Sequence, residues 1–178
     1  MTSADSRAIV LVGPMGAGKT SIGKRLAKQL GTTFSDTDSL VVREHGAIAD
    51  LFAAHGEPHF RRLERDAVVA ALARGGVVSL GGGAVLDGDT RRDLASHDVV
   101  FLTVAPRVVA RRLGTDAKRP LLSADDEETP IARWQRIYDA RRPLYDSVAD
   151  TTFDTSSGPL EMIVTAIADW TRTRGEQT

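Results

Sequence analysis

The sequence predicts an α/β fold, a three-layer α/β/α arrangement in which a parallel sheet of five strands carries helices on both faces. Three observations predict it. Short apolar runs alternate with longer stretches whose apolar residues recur at helical spacing, the pattern of strands joined by crossover helices. The apolar residues are mostly small or branched, with aromatics at only 5%, which suits strands covered on both faces. A glycine-rich loop joins the first apolar run to the first helical stretch. At 178 residues, a single domain spanning 1–178 is expected, long enough to bury a substantial core.

Residues 8–12, Ala-Ile-Val-Leu-Val, read as the first strand. The first helix runs from about Lys19 to Leu30, with Ile22, Leu26, Ala27 and Leu30 on one face and Gly31 as its stop. A second strand at 33–36 ends in Asp36-Thr37-Asp38. Helical segments follow at 39–45 and 48–55, then a longer one at 58–73 with Phe60, Leu63, Ala67 and Ala71 on its apolar stripe and Gly75-Gly76 as its stop. Residues 77–80 form a buried strand running into Gly81-Gly82-Gly83, and 98–104 form another, with a short helix between. Pro106 opens a helix ending near Leu113. The charged stretch 114–128, with Pro120 in its middle, is long enough to read as a lid. Thr129-Pro130 is a cap and first turn for a helix toward Arg142, which precedes Pro143 and so marks the expected helix end. Residues 151–153 read as the last strand and 160–171 as a closing helix with Ile163, Ile167 and Trp170 inward.

The strand-loop-helix at the start carries the chemistry. Gly13-Pro14-Met15-Gly16-Ala17-Gly18-Lys19-Thr20 matches G-x-x-x-x-G-K-[ST], a loop whose main-chain N–H groups form an anion nest at the positive end of a helix. Gly13, Gly16, Ala17, Gly18, Lys19, Thr20 and Ser21 are therefore the candidate nucleotide-binding residues. Lys19 adds a point charge for the outer phosphates, and the Thr20 hydroxyl suits a hard cation such as Mg²⁺. The rest of the composition excludes more than it assigns. With 23 basic and 24 acidic residues the net charge is −1, so no global field draws nucleic acid or an anionic membrane. No cysteine is present, which removes disulfides and thiolate chemistry. The four histidines lack metal-ligand spacing. The polar first residues lack a signal peptide's apolar region, and no apolar run approaches the roughly 18 residues of a membrane span, so a cytoplasmic address is expected. Near-neutral charge and few aromatics point to a monomer.

Ligands of open α/β sheets bind beyond the carboxyl ends of the strands, where Asp36 and Asp38 fall. Their i, i+2 spacing on an extended segment aims both side chains the same way, one toward a metal's water shell and one toward an acceptor hydroxyl. Capping by Asp38 of a helix beginning at Ser39 is the alternative. The strand 77–80 ends in glycine rather than a metal-binding Asp, leaving Asp36 as the metal-side carboxylate with Thr20. Gly81-Gly82-Gly83 either exposes backbone to a ligand's polar face or forms a plain loop. Arg61 and Glu64 stand i, i+3, the spacing of a surface pair, but Glu64 shares the apolar face of Phe60, where an inward carboxylate fixes an arginine in a site. Ile131, Trp134, Ile137 and Tyr138 define a stripe into which Arg141 falls, while Arg142 lies at its edge. Arg141 thus points inward, toward either a ligand or an inter-helix ion pair. Arg119 in the lid either closes over phosphates or idles in solvent. Arg111 and Arg112 either complement their helix dipole or offer one guanidinium to stack on a base.

Taken in order and at their separations, Gly13 to Thr20, Asp36-Thr37-Asp38, Phe60-Arg61-Arg62-Leu63-Glu64, Gly81-Gly82-Gly83, Arg119-Pro120-Leu121-Leu122 and Arg141-Arg142-Pro143-Leu144-Tyr145 resemble the shikimate kinase family, from Ala8 to Ile167. The resemblance implies a P-loop, nucleoside-monophosphate-kinase-like fold with strand order 2-3-1-4-5, substrate-binding helices at about 38–75 and a lid at about 114–128. It implies Mg-dependent transfer of the γ-phosphate of ATP to the 3-hydroxyl of shikimate. Asp38 would be the base, with Lys19 and Arg119 completing the catalytic set. Asp38, Phe52, Arg61, Gly81, Gly82, Gly83 and Arg141 would bind shikimate, Arg112 and the loop 154–159, through Ser156, Ser157 or Gly158, would meet adenine, and Thr20 and Asp36 would hold the metal. A kinase of another small acceptor such as gluconate keeps the loop and lid but needs a different acceptor site.

Overall fold

Five short strands make one parallel sheet in the computed structural model, which describes residues 7–113 and 128–176. They are β1 (Ile9–Val12), β2 (Phe34–Asp36), β3 (Val77–Ser79), β4 (Asp98–Thr103) and β5 (Thr151–Asp154), in the order β2-β3-β1-β4-β5 that the resemblance implies. Val10 pairs across to Val78 on one side and Val99 on the other. These side chains, with Leu11, Val100, Phe101 and Leu102, are fully buried, so both faces of the central strands are covered, as the near-continuous branched apolar runs require. Because every pairing is parallel, all five carboxyl ends open on one edge.

The connections are α1 (Lys19–Leu30), α2 (Thr37–His45), α3 (Ile48–His55), α4 (Glu57–Arg74), a 3₁₀ turn (Ala84–Leu86), α5 (Gly88–Leu94), α6 (Pro106–Leu113), α7 (Pro130–Val148) and α8 (Leu160–Gly175). α1 buries Ile22, Leu26 and Ala27 and stops at the left-handed Gly31. α2, α3 and α4 share a small core of their own, Val41, Leu51 and Phe60, apart from the main one. Among the described residues no helix is long and apolar enough to cross a membrane.

Three local expectations are corrected. α7 does not end at Arg142: it carries Pro143 inside it and continues to Val148. The residue that overrides the proline's local cost is Tyr145, 1% exposed and packed against Phe101 of β4 at 5.2 Å. α8 outruns Thr171 to Gly175 because Arg174 reaches back to Asp150 at 3.0 Å and Asp98 at 3.2 Å, tying the last turn to the sheet. Asp38 is not on an extended segment, since α2 begins at Thr37, and the cap of that helix is Asp36, whose Oδ1 accepts from the Ser39 N–H at 2.9 Å.

Candidate active site

A cavity of about 1330 Å³ opens along the carboxyl edge of the sheet, lined at one end by Gly16 to Ser21 and at the other by Phe52, Arg61, Gly82 and Arg141. The phosphate loop forms because β1 runs directly into Gly13, whose φ of 144° only glycine adopts freely and whose place a Cβ would lose to the Leu102 carbonyl. Gly16 and Gly18, both at φ 84°, turn the loop into α1, whose first turn holds no acidic side chain. That leaves its dipole and N–H groups for an anion. Lys19 Nζ donates to the carbonyls of Gly13 (2.8 Å) and Pro14 (2.9 Å), lying across the mouth of the loop. Arg112 on α6 donates to the Gly16 carbonyl. Gly16, Gly18, Lys19, Thr20, Ser21 and Arg112 line the cavity, whereas Ala17 is buried and Gly13 serves the close approach to β4.

The Thr20 hydroxyl donates to Asp36 Oδ2 at 2.7 Å. Two hard oxygen donors side by side at the end of a phosphate loop fit a magnesium ion, which takes oxygen ligands and keeps several waters. Ser157 is exposed and does not line the cavity, while Leu160 does. Its neighbour Ser156 holds the turn, accepting from the Ala105 N–H at 2.8 Å and donating to Asp154. Arg119 and the lid residues 114–127 lie outside the described residues. Glu128, where the lid stretch ends, accepts from Arg136 on α7 at 3.0 Å.

The end of the cavity away from the phosphate loop is built on α2, α4 and α7. Asp38, on the first turn of α2, lines the cavity. Glu64 on α4 is 3% exposed and accepts from Arg61 at 2.6 Å, and Glu57 takes the other side of that guanidinium at 2.9 Å. Burial pushes the Glu64 carboxyl above its ordinary value, against the pull of Arg61, and the nearby Asp38 charge adds to the rise. For Arg61 burial works against the charge, but Glu64 and Glu57 outweigh it and raise the guanidinium. The inward reading of Glu64 is therefore what the structure has.

The three glycines divide the work. A Cβ on Gly81 would stand 2.6 Å from both Asp38 Oδ1 and Glu64 Oε1, and one on Gly83 would strike the Arg61 guanidinium, so each makes room for a charged side chain. Gly82 faces the cavity. Phe52 stacks on Phe60 at 4.9 Å as an apolar wall of the cavity. Arg141 lines the cavity while Arg142 is exposed, 3.8 Å from Asp146, as their places on the stripe predict.

Three residues escaped the sequence reading. Thr37 accepts from the Gly81 N–H at 2.9 Å. Trp134, read only as part of an apolar stripe, donates its indole N–H to the Met15 carbonyl at 2.8 Å. Tyr145 donates to the Gly82 carbonyl at 2.5 Å, and burial pushes its phenol up to about 12. Its signal was available: it stands four residues after Arg141, one helical turn onward, and was lost by ending the helix at Pro143.

A phosphate-cradling loop on the middle strand of a 2-3-1-4-5 parallel sheet, facing charged side chains across one cavity, defines a P-loop phosphotransferase of the nucleoside-monophosphate-kinase-like class. The shikimate kinase family model matches residues 15–172. A shikimate kinase of Streptomyces coelicolor is 45% identical over 163 residues, 90% of this chain and 93% of that one. The chain belongs to the shikimate kinase family, ATP-dependent phosphotransferases with an alcohol acceptor. Among solved structures, a shikimate kinase from Acinetobacter baumannii in complex with shikimate superposes with a TM-score of 0.87 at 33% identity, covering 94% of each chain. A gluconokinase from Sinorhizobium meliloti, at 18% identity and a TM-score of 0.53, shares the fold alone.

Proposed function

We propose that the cavity holds ATP on the phosphate loop and shikimate between Asp38, Arg61 and Arg141, and passes the γ-phosphate to the 3-hydroxyl of shikimate. The observation that carries this reading is one cavity lined by Lys19 at one end and by Asp38, Arg61 and Arg141 at the other. Two guanidinium groups suit a carboxylate, which they grip through paired hydrogen bonds, while Asp38 and the Gly82 backbone suit hydroxyls. Asp38 accepts the proton of the attacking hydroxyl as its oxygen bonds to the γ-phosphorus, and the bond from that phosphorus to the ADP oxygen breaks. Glu64 and Glu57 hold Arg61 in place for the ring. Gly16 to Ser21 present amides to the phosphates and Lys19 neutralises their charge. Thr20 and Asp36 would hold Mg²⁺, which when bound neutralises charge on the phosphate oxygens. By resemblance Arg119 serves the phosphates, and Arg112 with one of Ser156, Ser157 and Gly158 the adenine.

A coupled assay with Mg²⁺ and ATP, offering shikimate, gluconate and nucleoside monophosphates separately, tests the assignment. Turnover is expected with shikimate alone. Phosphorylation of gluconate with shikimate inert would overturn it.

A further inference from the structure

We propose that α7 is a spacer that fixes the phosphate loop relative to the acceptor loop by holding one main-chain carbonyl of each, Met15 through Trp134 and Gly82 through Tyr145. The inference rests on the assignment of the two ends of the cavity to ATP and shikimate. Both bonds are donated by nearly fully buried rings, Trp134 at 2% exposure and Tyr145 at 1%. Each ring is braced, Trp134 by Tyr138 at 5.1 Å and Tyr145 by Phe101 at 5.2 Å. From Trp134 to Tyr145 is eleven positions on one helix, about three turns, so the two side chains leave the same side of the helix roughly 16 Å apart along its axis. Arg141 lies between them, one turn before Tyr145, and lines the same cavity.

The reason such bonds matter is that a peptide unit is planar and trans, so its N–H points opposite to its C=O. Holding the Met15 carbonyl fixes the Met15–Gly16 peptide and hence the N–H of Gly16, at a left-handed glycine in the phosphate nest. Holding the Gly82 carbonyl likewise fixes the N–H of Gly83, in a loop whose three glycines have no side chains of their own to hold it. Neither Trp134 nor Tyr145 needs to touch the reacting atoms. They are positioning residues, and the rigid rod between them sets how far the donor phosphate stands from the acceptor.

The test is a pair of substitutions in the full chain, Trp134→Phe and Tyr145→Phe, each keeping a buried ring and deleting one carbonyl's donor; the second also deletes the phenol's hydrogen bond with Arg141, so for that variant the shift of the Gly83 amide separates the carbonyl's part from the arginine's. Each variant is expected to lower kcat about tenfold, because releasing either end of the rod lets the donor phosphate and the acceptor drift apart; Tyr145→Phe should also raise KM for shikimate about tenfold with KM for ATP unchanged within about twofold, and Trp134→Phe the reverse, each reflecting one buried carbonyl left without its donor. In nitrogen-15 spectra of the nucleotide-free chain the Gly83 amide should move in the first variant and the Gly16 amide in the second. Equal changes in both KM values for either variant, or amide shifts spread alike over both loops, would mean a merely structural role and overturn the proposal. If the wild-type chain binds ATP but ignores shikimate, the acceptor assignment fails by itself, and the selective amide shifts still decide the spacer.

Discussion

Gly81→Ala puts the acceptor end under a defined strain. The added methyl would lie 2.6 Å from Asp38 Oδ1 and 2.6 Å from Glu64 Oε1, so relief to a normal carbon–oxygen separation of ~3.3 Å requires a displacement of roughly 0.7 Å for each. Glu64 has little freedom, being buried and held by Arg61 at 2.6 Å. Asp38, half-buried where Glu64 is fully buried, is the group that yields. The backbone does not oppose the change, since Gly81 is not among the glycines of positive φ, and an alanine keeps the N–H that Thr37 accepts. Overpacking of this kind costs ~1–3 kcal/mol, and displacement of a reacting group by close to 1 Å costs on the order of a hundredfold in rate, about 2.7 kcal/mol. Steady-state assays of ADP release with each substrate varied should give kcat about a hundredfold down and KM for ATP unchanged within about twofold. Turnover within about threefold of wild type would refute the claim that a methyl at Gly81 displaces Asp38 from its working position.

Asp38→Asn should lower turnover by at least about a hundredfold with ATP affinity little changed, the usual size of a general-base effect, and unchanged turnover in a single-turnover assay removes Asp38 from the chemistry. Arg141→Ala should weaken shikimate much more than ATP in calorimetric titrations; equal weakening would point to lost structure instead. Glu64→Gln tests the buried carboxyl. Because its folded value is raised above 4.5 by burial, the proton favours the folded state, so wild type should lose stability relative to Glu64→Gln as the pH climbs from 4.5 toward that raised value. Paired thermal melts from about pH 4 to about pH 8 check it, and wild type gaining ground over that interval would contradict the cause given for the shift.

The strands and most helix ends were legible because they are local. Gly31 and Gly75 are stops, Thr129-Pro130 is a start, and branched apolar runs need cover on both faces wherever they are placed. The phosphate loop was legible because a nest of amides demands glycines at fixed spacing. Glu64 and Arg141 were legible because helical periodicity puts them on apolar faces. What failed depended on contacts distant in sequence. Proline at 143 is a local argument for a helix end, and Tyr145 against β4 and Gly82, 63 positions upstream, defeats it. The i, i+2 spacing suggests that Asp36 and Asp38 share one strand, whereas the helix starts between them, so Asp36 both caps it and lines the cavity while Asp38 lines the cavity from its first turn. The strand order came from the resemblance, since no spacing within one strand says which neighbour it will take.

The two arginines of the acceptor end stand in different electrostatic positions, and this bears on which part of the acceptor each meets. Arg61 is already paired with Glu64 and Glu57, so much of its charge is spent within the protein. A buried ion pair is a poor source of stability, because desolvation of the two charges offsets most of their attraction. Retaining one beside a cavity makes sense where a guanidinium must be held in one orientation. Among the described residues Arg141 forms no ion pair with a carboxylate. On the proposed assignment an incoming carboxylate gains more charge attraction from Arg141, which acts on Glu64 without an ion pair, while Arg61 serves chiefly as an oriented hydrogen-bond donor. Arg141→Lys should accordingly retain more shikimate affinity than Arg61→Lys, since a point charge replaces the first function but not the second. The opposite ranking in binding titrations would assign the carboxylate to Arg61.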